Sequence, residues 1–355
     1  MSKLDSEIGS YRFNWFDWLC LWYPPGWLIL FNRHWRHYNI DPDGWNWLEY
    51  LLFLVPAGFY IALGLRWLRL GCRAPRPATQ PPSPNYGAVF QNEILAPIST
   101  HHFRANLQVA EVIVCGRPAI VAMNHAGMCF PWDFLCLAFL LRQQGHRVRA
   151  LAHPIFFDHP WLVWWLPPGW AETLGGVRAE KVSFASEIET LQRSQPITEL
   201  ILLLYAPEGW RGLTKGWQQR YHLEQFDSSF IRLSWQYQVP IIPTVCIGSE
   251  RLHPFAINIK PLATWFKMPL FPLSPLIPIF LLFPSMGVWA IPTRLSYYMQ
   301  PLWKPWEQTQ VEVNALPRRR VLYQWANDLR SQLQTLIDGL TEVGGQKSGS
   351  KRQRY

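Results

Sequence analysis

A histidine with a carboxylate a short distance along the chain is the first candidate for chemistry. His125 lies in the segment NHAGMCFPWD at 124–133, directly after the apolar run Ala119–Met123, which is typical of a strand. A histidine can act as a general base near neutral pH. A carboxylate beside it, here Asp133, can fix its tautomer and stabilise the imidazolium. Most of the 10 histidines are expected to be surface or core residues, but ligands bind where strands of an α/β sheet end.

A second group follows another apolar run, Leu200–Tyr205, in the segment YAPEGWRG at 205–212. Gly209 lets the main chain approach a ligand closely. Arg211, with Lys215 and Arg220 nearby, could bind a phosphate group. The alternative interpretation is a turn with solvated charges. The segment 239–243, VPIIP, is by itself a structural strand flanked by prolines.

In this order, the three segments resemble the glycerophospholipid acyltransferase superfamily. The detailed sequence YAPEGWRGLTKGW, followed by FIRLSWQYQVPIIPTVCIGSE, is similar to its monoacylglycerol/diacylglycerol acyltransferase-like bacterial branch. The resemblance covers roughly residues 105–340. It implies that His125 deprotonates an acceptor hydroxyl, which then attacks an acyl thioester, and that Asp133 orients the histidine.

The resemblance also implies a set of substrate-binding residues. The Glu-Gly-x-Arg motif would hold the acceptor, often its phosphate, and the prolines of the last motif would shape the acyl pocket. A middle motif, a glycine followed by an arginine, matches either Arg178 or the nearby Lys181. The predicted binding residues are Asn124, Arg178, Glu208, Gly209, Arg211, Pro240 and Pro243.

The spacing between the histidine and the carboxylate departs from the superfamily pattern. Four residues usually intervene, whereas here the seven residues 126–132 do. A bulge containing glycine and proline would return Asp133 to His125. The other candidate partner is Asp158, in the segment HPIFFDHP.

Strands and helices alternate between about 105 and 250, which is typical of an α/β domain. We predict a mixed or parallel central sheet flanked by helices, as the resemblance also implies. The predicted strands are Val109–Val114, Ala119–Met123, Val148–Ala152, Leu200–Tyr205 and Val239–Ile247. The predicted helices are Pro131–Leu141, Ala179–Arg193, Phe226–Gln238 and Leu316–Leu340.

The first 73 residues are predicted to anchor the chain to a membrane, since tryptophan prefers the headgroup interface. Trp45–Leu65 just reaches the length of about 20 residues that a spanning helix needs. The break at 56–58, Pro-Ala-Gly, also allows a half-inserted hairpin or a kinked interfacial helix. Arginines from Arg66 onward favour a cytoplasmic location for the downstream part of the chain, and no signal peptide is evident.

This pattern predicts four regions: an anchoring segment at 1–73, a Pro-rich linker and entry at 74–104, an acyltransferase domain at 105–342, and a basic disordered tail at 343–355. The Pro-rich apolar segment 261–292 is predicted to be a non-helical flap at the membrane or over a lipid pocket. Its alternative is an irregular part of the core.

Composition narrows the class of protein. The chain has 355 residues, 49% of them hydrophobic and 16% charged, which excludes a disordered protein. Its net charge of +9 and its 21 tryptophans favour an anionic bilayer. The basic residues form no long run, so we expect no nucleic-acid partner. The six cysteines form no CxxC pair, so we expect no metal site.

The predicted activity is transfer of a fatty acyl group to a glycerolipid or lysophospholipid hydroxyl. We expect no bound cofactor, with acyl-CoA or acyl carrier protein thioester as co-substrate. A neutral acceptor, such as diacylglycerol or a fatty alcohol, is the alternative within the class. Outside the class, the scaffold could be a non-catalytic lipid-binding protein. A serine esterase is disfavoured because the chain has no GxSxG motif.

Overall fold

A computed structural model describes residues 9–73, 75, 86–111, 118–126, 130–158, 169–193, 201–267, 271–307 and 316–352. Its side chains are described in the same ranges except at 181–182, 191–193, 272 and 343–352. The chain divides into two units. The first comprises Met1–His102, Ala152–Arg178 and Leu273–Ile291, and the second comprises Phe103–Leu151, Ala179–Pro272 and Pro292–Tyr355. Both units are discontinuous, unlike the contiguous regions expected from the sequence.

The regular elements are numbered along the chain. The strands are β1 (Asn106–Val109), β2 (Ala119–Met123), β3 (Arg147–Ala152), β4 (Gly176–Arg178), β5 (Ile201–Tyr205), β6 (Ile241–Ile247), β7 (Ile257–Asn258), β8 (Pro272–Leu273) and β9 (Ser296–Met299). The helices are α1 (Trp15–Trp22), α2 (Trp27–Tyr38), α3 (Trp47–Phe53), α4 (Gly58–Arg69), α5 (Tyr86–Phe90), α6 (Trp132–Gln143), α7 (Ile155–Asp158), α8 (Trp170–Thr173), α9 (Lys181–Arg193), α10 (Trp210–Leu213), α11 (Ser229–Tyr237), α12 (Lys260–Trp265), α13 (Ile277–Leu282) and α14 (Arg319–Arg352). Short 3₁₀ turns lie at Pro24–Gly26, Trp217–Gln219, Ser249–Arg251, Pro284–Met286 and Pro305–Glu307, and π-helical turns lie at Gln91–Leu95 and Ile98–His102.

The second unit is built on a mixed sheet, as predicted. Its strands lie in the order β1, β9, β6, β2, β5 and β3. Neighbouring strands are parallel except β6 and β9, which are antiparallel. In the centre, Val121 of β2 lies opposite Leu204 on one side and Ile242 on the other. All five residues of β2 are buried, as expected of a strand covered on both faces.

Helices α9, α11 and α14 contribute to the core on this sheet. Phe184, Phe230 and Leu329 from these helices are buried in the same cluster as Ile120 and Leu203. The four predicted helices are present as α6, α9, α11 and α14, and the ends of the first three differ from the prediction by at most three residues. The predicted strand Val109–Val114 is instead β1, which ends at Val109, and residues 112–114 lie outside the described residues.

The last helix corrects one expectation. Helix α14 runs from Arg319 to Arg352, so the basic segment predicted to be a disordered tail from 343 is helical to residue 352. The sequence offers no proline beyond 317 that would end the helix. Residues 353–355 lie outside the described residues.

The first unit contains the Trp-rich helices. The apolar stretch Trp45–Leu65 forms two helices, α3 and α4, rather than one. Between them Ala57 has a φ of 58°, in the left-handed region. A Cβ on Gly58 would lie 2.0 Å from the carbonyl oxygen of Leu52, so the turn needs glycine there. None of the helices among the described residues has the length and apolar character to cross a membrane.

Two further segments contain helical structure that the sequence analysis did not predict. Within the region predicted as linker and entry, residues 86–102 form α5 and the two π-helical turns, and Tyr86, Ile94 and Ile98 are buried. Residue 74 and residues 76–85 lie outside the described residues. The segment 261–292 is not wholly non-helical, because α12 and α13 each carry a proline in their first turn, where a missing N–H costs no hydrogen bond.

Candidate active site

The carboxyl ends of three central strands meet at one edge of the sheet in the second unit. Strands β2, β5 and β6 are mutually parallel, so the residues that come after them lie at the same edge. Asn124 and His125 follow β2, and Glu208 follows β5. This is the edge at which open α/β sheets bind ligands.

His125 is paired with the carboxylate of Asp133. The His125 Nδ1 lies 2.7 Å from Asp133 Oδ2. The histidine is 8% exposed and the aspartate 1%. Because an ionised carboxylate can only accept, Nδ1 carries the proton and donates it, which leaves Nε2 as the basic nitrogen. The ring of Phe134 packs edge-on against the imidazole at 4.9 Å between centroids.

The seven-residue spacing is thus compatible with the pair. Asp133 lies in the first turn of α6, where the helix dipole favours a negative charge. Its Oδ1 accepts from the Phe134 N–H at 2.9 Å, and its main-chain carbonyl accepts from the Tyr297 hydroxyl at 2.7 Å. Residues 127–129 of the intervening turn lie outside the described residues.

The alternative carboxylate has a different partner. Asp158 lies in the first unit, at the end of α7. Its two carboxylate oxygens accept hydrogen bonds from Nη1 and Nη2 of Arg178, at 2.5 and 2.7 Å. Arg178, predicted to bind substrate, is therefore in an ion pair at the end of β4. The side chain of its alternative, Lys181, lies outside the described residues.

Glu208 holds the main chain of the histidine. Its carboxylate is fully buried and accepts three hydrogen bonds. Oε1 accepts from the His125 N–H at 3.2 Å, and Oε2 accepts from Lys215 Nζ at 2.7 Å and from the Glu224 N–H at 2.7 Å. With three donors on a buried carboxylate, Glu208 serves as an internal support for His125.

The other residues of the predicted motif around Glu208 differ in exposure. Gly209 turns the chain with φ 56° and ψ −138°, and its N–H donates to the carbonyl of Ala206. Arg211 is exposed and donates to the carbonyl of Gln225 at 3.0 Å. Of these residues, Arg211 alone presents a charged group toward solvent.

The remaining predicted residues lie along the pairing of β2 with β6. Asn124 is at the carboxyl edge, Pro243 is within the strand, and Pro240 is at the opposite edge, because it precedes β6. The Asn124 side chain donates to the carbonyl of Cys246 at 3.0 Å and accepts from its N–H at 2.7 Å. It therefore extends the pairing of β2 with β6 by one residue. Pro243 lies within β6 opposite Ala122, and the carbonyl of Pro240 accepts from the Ile120 N–H. These contacts place both prolines in the pairing of β2 with β6.

A recess, which we call the Ala126 recess, opens beside the residue that comes after His125. It is small and partly open to solvent. Its lining includes Ala126, Lys215, Trp217, Arg220, Glu250 and His253. The Arg220 guanidinium lies over the rings of Trp217 and Tyr221, at 4.3 and 4.9 Å from their centroids.

One carboxylate at the recess is buried. Glu250 is 4% exposed. Its Oε1 and Oε2 both accept from the single N–H of Gly248, at 3.0 and 2.8 Å. Burial raises the pKa of Glu250 above its ordinary value. Among the described residues, no group of three or more His, Cys, Asp or Glu side chains could hold a metal ion.

Sequence reasoning does not identify two of the contacts at this edge. The sequence suggests Lys215 only as a phosphate ligand, yet its side chain is 2% exposed and pairs with Glu208. Tyr297 contacts the main chain of Asp133 from 164 residues away. Its only sequence signal is an apolar strand, which does not predict a specific hydrogen bond.

Residues 100–247 match the protein-family model described as Acyltransferase. An uncharacterized protein of Mycobacterium tuberculosis is 30% identical over 200 residues, which are 55% of this chain and 52% of the relative. One from Mycobacterium leprae is 29% identical over 198 residues, 54% of this chain and 50% of the relative. The chain thus spans about half the length of these curated relatives.

Among solved structures, the 1-acyl-sn-glycerophosphate acyltransferase PlsC of Thermotoga maritima is similar with a TM-score of 0.37 and 14% identity. The match covers 80% of this chain and 94% of that one. The family match includes His125, Asp133 and Glu208. The match of residues 100–247 to the Acyltransferase family model agrees with the predicted superfamily, whereas its branch stays a prediction.

Proposed function

We propose that the acyltransferase domain at residues 100–247 moves a fatty acyl group from a thioester to the hydroxyl of a glycerolipid or lysophospholipid. The observation that carries this proposal is the His125–Asp133 pair, with 2.7 Å between Nδ1 and Oδ2. A base held in one tautomer at the edge of an α/β sheet suits the activation of a hydroxyl.

The chemistry requires one base and no covalent enzyme intermediate. His125 Nε2 takes the proton of the acceptor hydroxyl as its oxygen attacks the thioester carbonyl carbon. The C–S bond of the tetrahedral intermediate then breaks, and the leaving thiolate takes the proton from the imidazolium. Asp133 stabilises the imidazolium between these two steps. The donor would be acyl-CoA or an acyl carrier protein thioester, used as co-substrate, and the protein would need no bound cofactor.

We further propose that the acceptor carries a phosphate near Arg211. Arg211 is exposed and has guanidinium N–H groups beyond the one that bonds to Gln225. If it contacts the phosphate, Arg211→Ala should raise the acceptor KM for lysophospholipids and leave that for diacylglycerol unchanged. An unchanged KM for lysophospholipids would instead favour the alternative of a neutral acceptor.

The acceptor and product are bilayer lipids, so we propose that the chain works on a membrane, with the acyltransferase domain on its cytoplasmic side. Support comes from large exposed apolar side chains on α1, α3 and α4 of the first unit. Among them, Trp15 is 78% exposed, Trp47 59% and Trp67 53%. Tryptophan is enriched at membrane–water interfaces, and the nearby arginines favour anionic headgroups.

Membrane binding can be measured by co-sedimentation with phosphatidylglycerol/phosphatidylcholine vesicles. The triple variant Leu48→Ser/Leu51→Ser/Leu68→Ser removes three exposed side chains of α3 and α4. It should weaken vesicle binding at least ~10-fold, since each apolar side chain contributes on the order of 1 kcal/mol or more when buried. Leu316→Ser, at another exposed leucine, is the matched control. Equal binding by both variants would refute this surface.

The activity itself is tested by a transfer assay with labelled acyl-CoA and acyl carrier protein thioesters. The acceptor panel runs from lysophospholipids to diacylglycerol and fatty alcohol. His125→Ala should lower the turnover number by ~10²–10⁴-fold, the usual contribution of a general base. The control is His146→Ala, because His146 precedes β3 and thus lies at the opposite edge of the sheet. Full activity of His125→Ala would refute the mechanism, and no product from the wild type would favour a non-catalytic scaffold.

A further inference from the structure

One short segment, 208–216, contacts the main chain of His125 at two points. Glu208 accepts from the His125 N–H at 3.2 Å. On the other side, Gly212 lies so close that a Cβ built there would be 2.6 Å from the His125 carbonyl oxygen. The same segment therefore accepts a hydrogen bond from the His125 N–H and packs closely against the His125 C=O.

Lys215 lies within this segment and completes it. Its side chain is 2% exposed, and that of Glu208 is 0% exposed. Its Nζ lies 2.7 Å from Glu208 Oε2. A buried carboxylate stays ionised only when charges or hydrogen bonds compensate its loss of water. Lys215 is the full positive charge that does this for Glu208.

We infer that Lys215 is a positioning residue for the transfer reaction: through Glu208 it holds the His125 backbone in the orientation in which the imidazole can act as a base. This inference rests on the proposed function. The family resemblance assigns the Glu-Gly-x-Arg motif to acceptor binding, and no role to this lysine. In this chain the glutamate of that motif faces inward and needs a cation of its own.

Burial argues against a direct contact between Lys215 and a ligand. Although the residue lines the Ala126 recess, little of its side chain is open to solvent, and its ammonium already donates to Glu208. A ligand contact would make Lys215 matter for acceptor affinity. A positioning role makes it matter for turnover, because a displacement of about 1 Å at a catalytic group can cost ~10²-fold in rate.

The test compares Lys215→Met with Lys215→Arg in the full chain, by steady-state kinetics and thermal denaturation. Lys215→Met removes the charge at similar length, and Lys215→Arg keeps it. We expect Lys215→Met to lower kcat by ~10-fold or more while the KM values for donor and acceptor stay within about threefold. Lys215→Arg should restore at least part of kcat. The matched control is Lys304→Met, which breaks the exposed ion pair with Glu307 and should leave kcat unchanged.

Three results would overturn the inference. They are an unchanged kcat in folded Lys215→Met, a raised acceptor KM with unchanged kcat, and a lower melting temperature with full turnover per folded molecule. If Lys215→Met does not fold, Glu208→Gln and Glu208→Gln/Lys215→Met decide. An equal kcat in Glu208→Gln and in the double variant shows that the lysine acts through the glutamate. A further loss of kcat in the double variant refutes the inference. Activity of His125→Ala, or an inactive wild type, would instead defeat the proposed function.

Discussion

Gly212 offers a direct test of how tightly the His125 backbone is held. A Cβ at this position would lie 2.6 Å from the His125 carbonyl oxygen, 3.0 Å from Glu208 Cβ and 3.2 Å from Glu208 Cδ. Ordinary contacts of a Cβ begin at 3.4 Å, so in Gly212→Ala the methyl group and the oxygen must separate by about 0.8 Å. Two of these neighbours belong to a buried carboxylate side chain and one to the main chain of His125, so the His125 backbone and the segment that carries Gly212 must move apart.

The expected effect of Gly212→Ala depends on that displacement. Overpacking a buried site costs about 1–3 kcal/mol of unfolding free energy. A shift on the order of 1 Å at the base costs up to ~10²-fold in turnover. Both losses should therefore appear together, a lower melting temperature and a lower kcat.

The assay is the acyl-transfer measurement with a parallel thermal melt, and Gly339→Ala is the control. An added Cβ at Gly339 of α14 meets nothing within 4 Å. Because alanine is favoured over glycine inside a helix, the control should stabilise the protein by up to ~1 kcal/mol and leave kcat unchanged. Full turnover and an unchanged melt in Gly212→Ala would refute the account of the His125 backbone.

Three further predictions concern buried groups at the same edge. Asp133→Asn keeps the size of the side chain but removes the charge that stabilises the His125 imidazolium, so turnover should fall ~10²–10⁴-fold in the transfer assay; a loss below about threefold would contradict the assigned pair. Asn124→Ala leaves the buried N–H and C=O of Cys246 without their partner, and urea unfolding should show a loss of about 1–3 kcal/mol. Burial raises the pKa of Glu250 in the folded protein, so folding favours the protonated carboxyl group. The stability that this group contributes is present at low pH and is lost as the pH rises through the pKa of the folded state. Glu250→Gln should therefore gain melting temperature relative to the wild type as the pH rises from acid to neutral, and a gain that shrinks with pH would contradict this sign.

Local patterns are sufficient to predict much of the sheet. The apolar runs at Ala119–Met123 and 201–205 can be assigned as strands because each is continuous, short and followed by a turn. The pairing of His125 with Asp133 is also predicted, although the spacing leaves Asp158 as an alternative. What decides between the two carboxylates is the contact of His125 Nδ1 with Asp133 Oδ2, while Asp158 pairs with Arg178. Both contacts appear only in three dimensions.

Other features have no local signal. Trp45–Leu65 divides into two helices at the Pro-Ala-Gly break that the sequence indicates. The left-handed conformation of Ala57 at that break has no such signal, since alanine rarely takes it. The extent of α14 could not be predicted, because glycines and charged residues near 343–350 resemble a disordered tail in composition. The burial of Lys215 could not be predicted either, because a lysine near an arginine cluster is normally solvated.

His125 is hydrogen-bonded to two carboxylates, one at its side chain and one at its main chain. Asp133 binds the imidazole Nδ1, and Glu208 binds the main-chain N–H. The first controls the proton and the second controls position. Glu208 is fully used in this way, and Arg211 is the exposed cation of the motif. Under the proposed function, acceptor choice and base geometry would thus be carried by different side chains of one short segment. Loss of Glu208 should therefore slow transfer to every acceptor, whereas loss of Arg211 should change which acceptor is preferred.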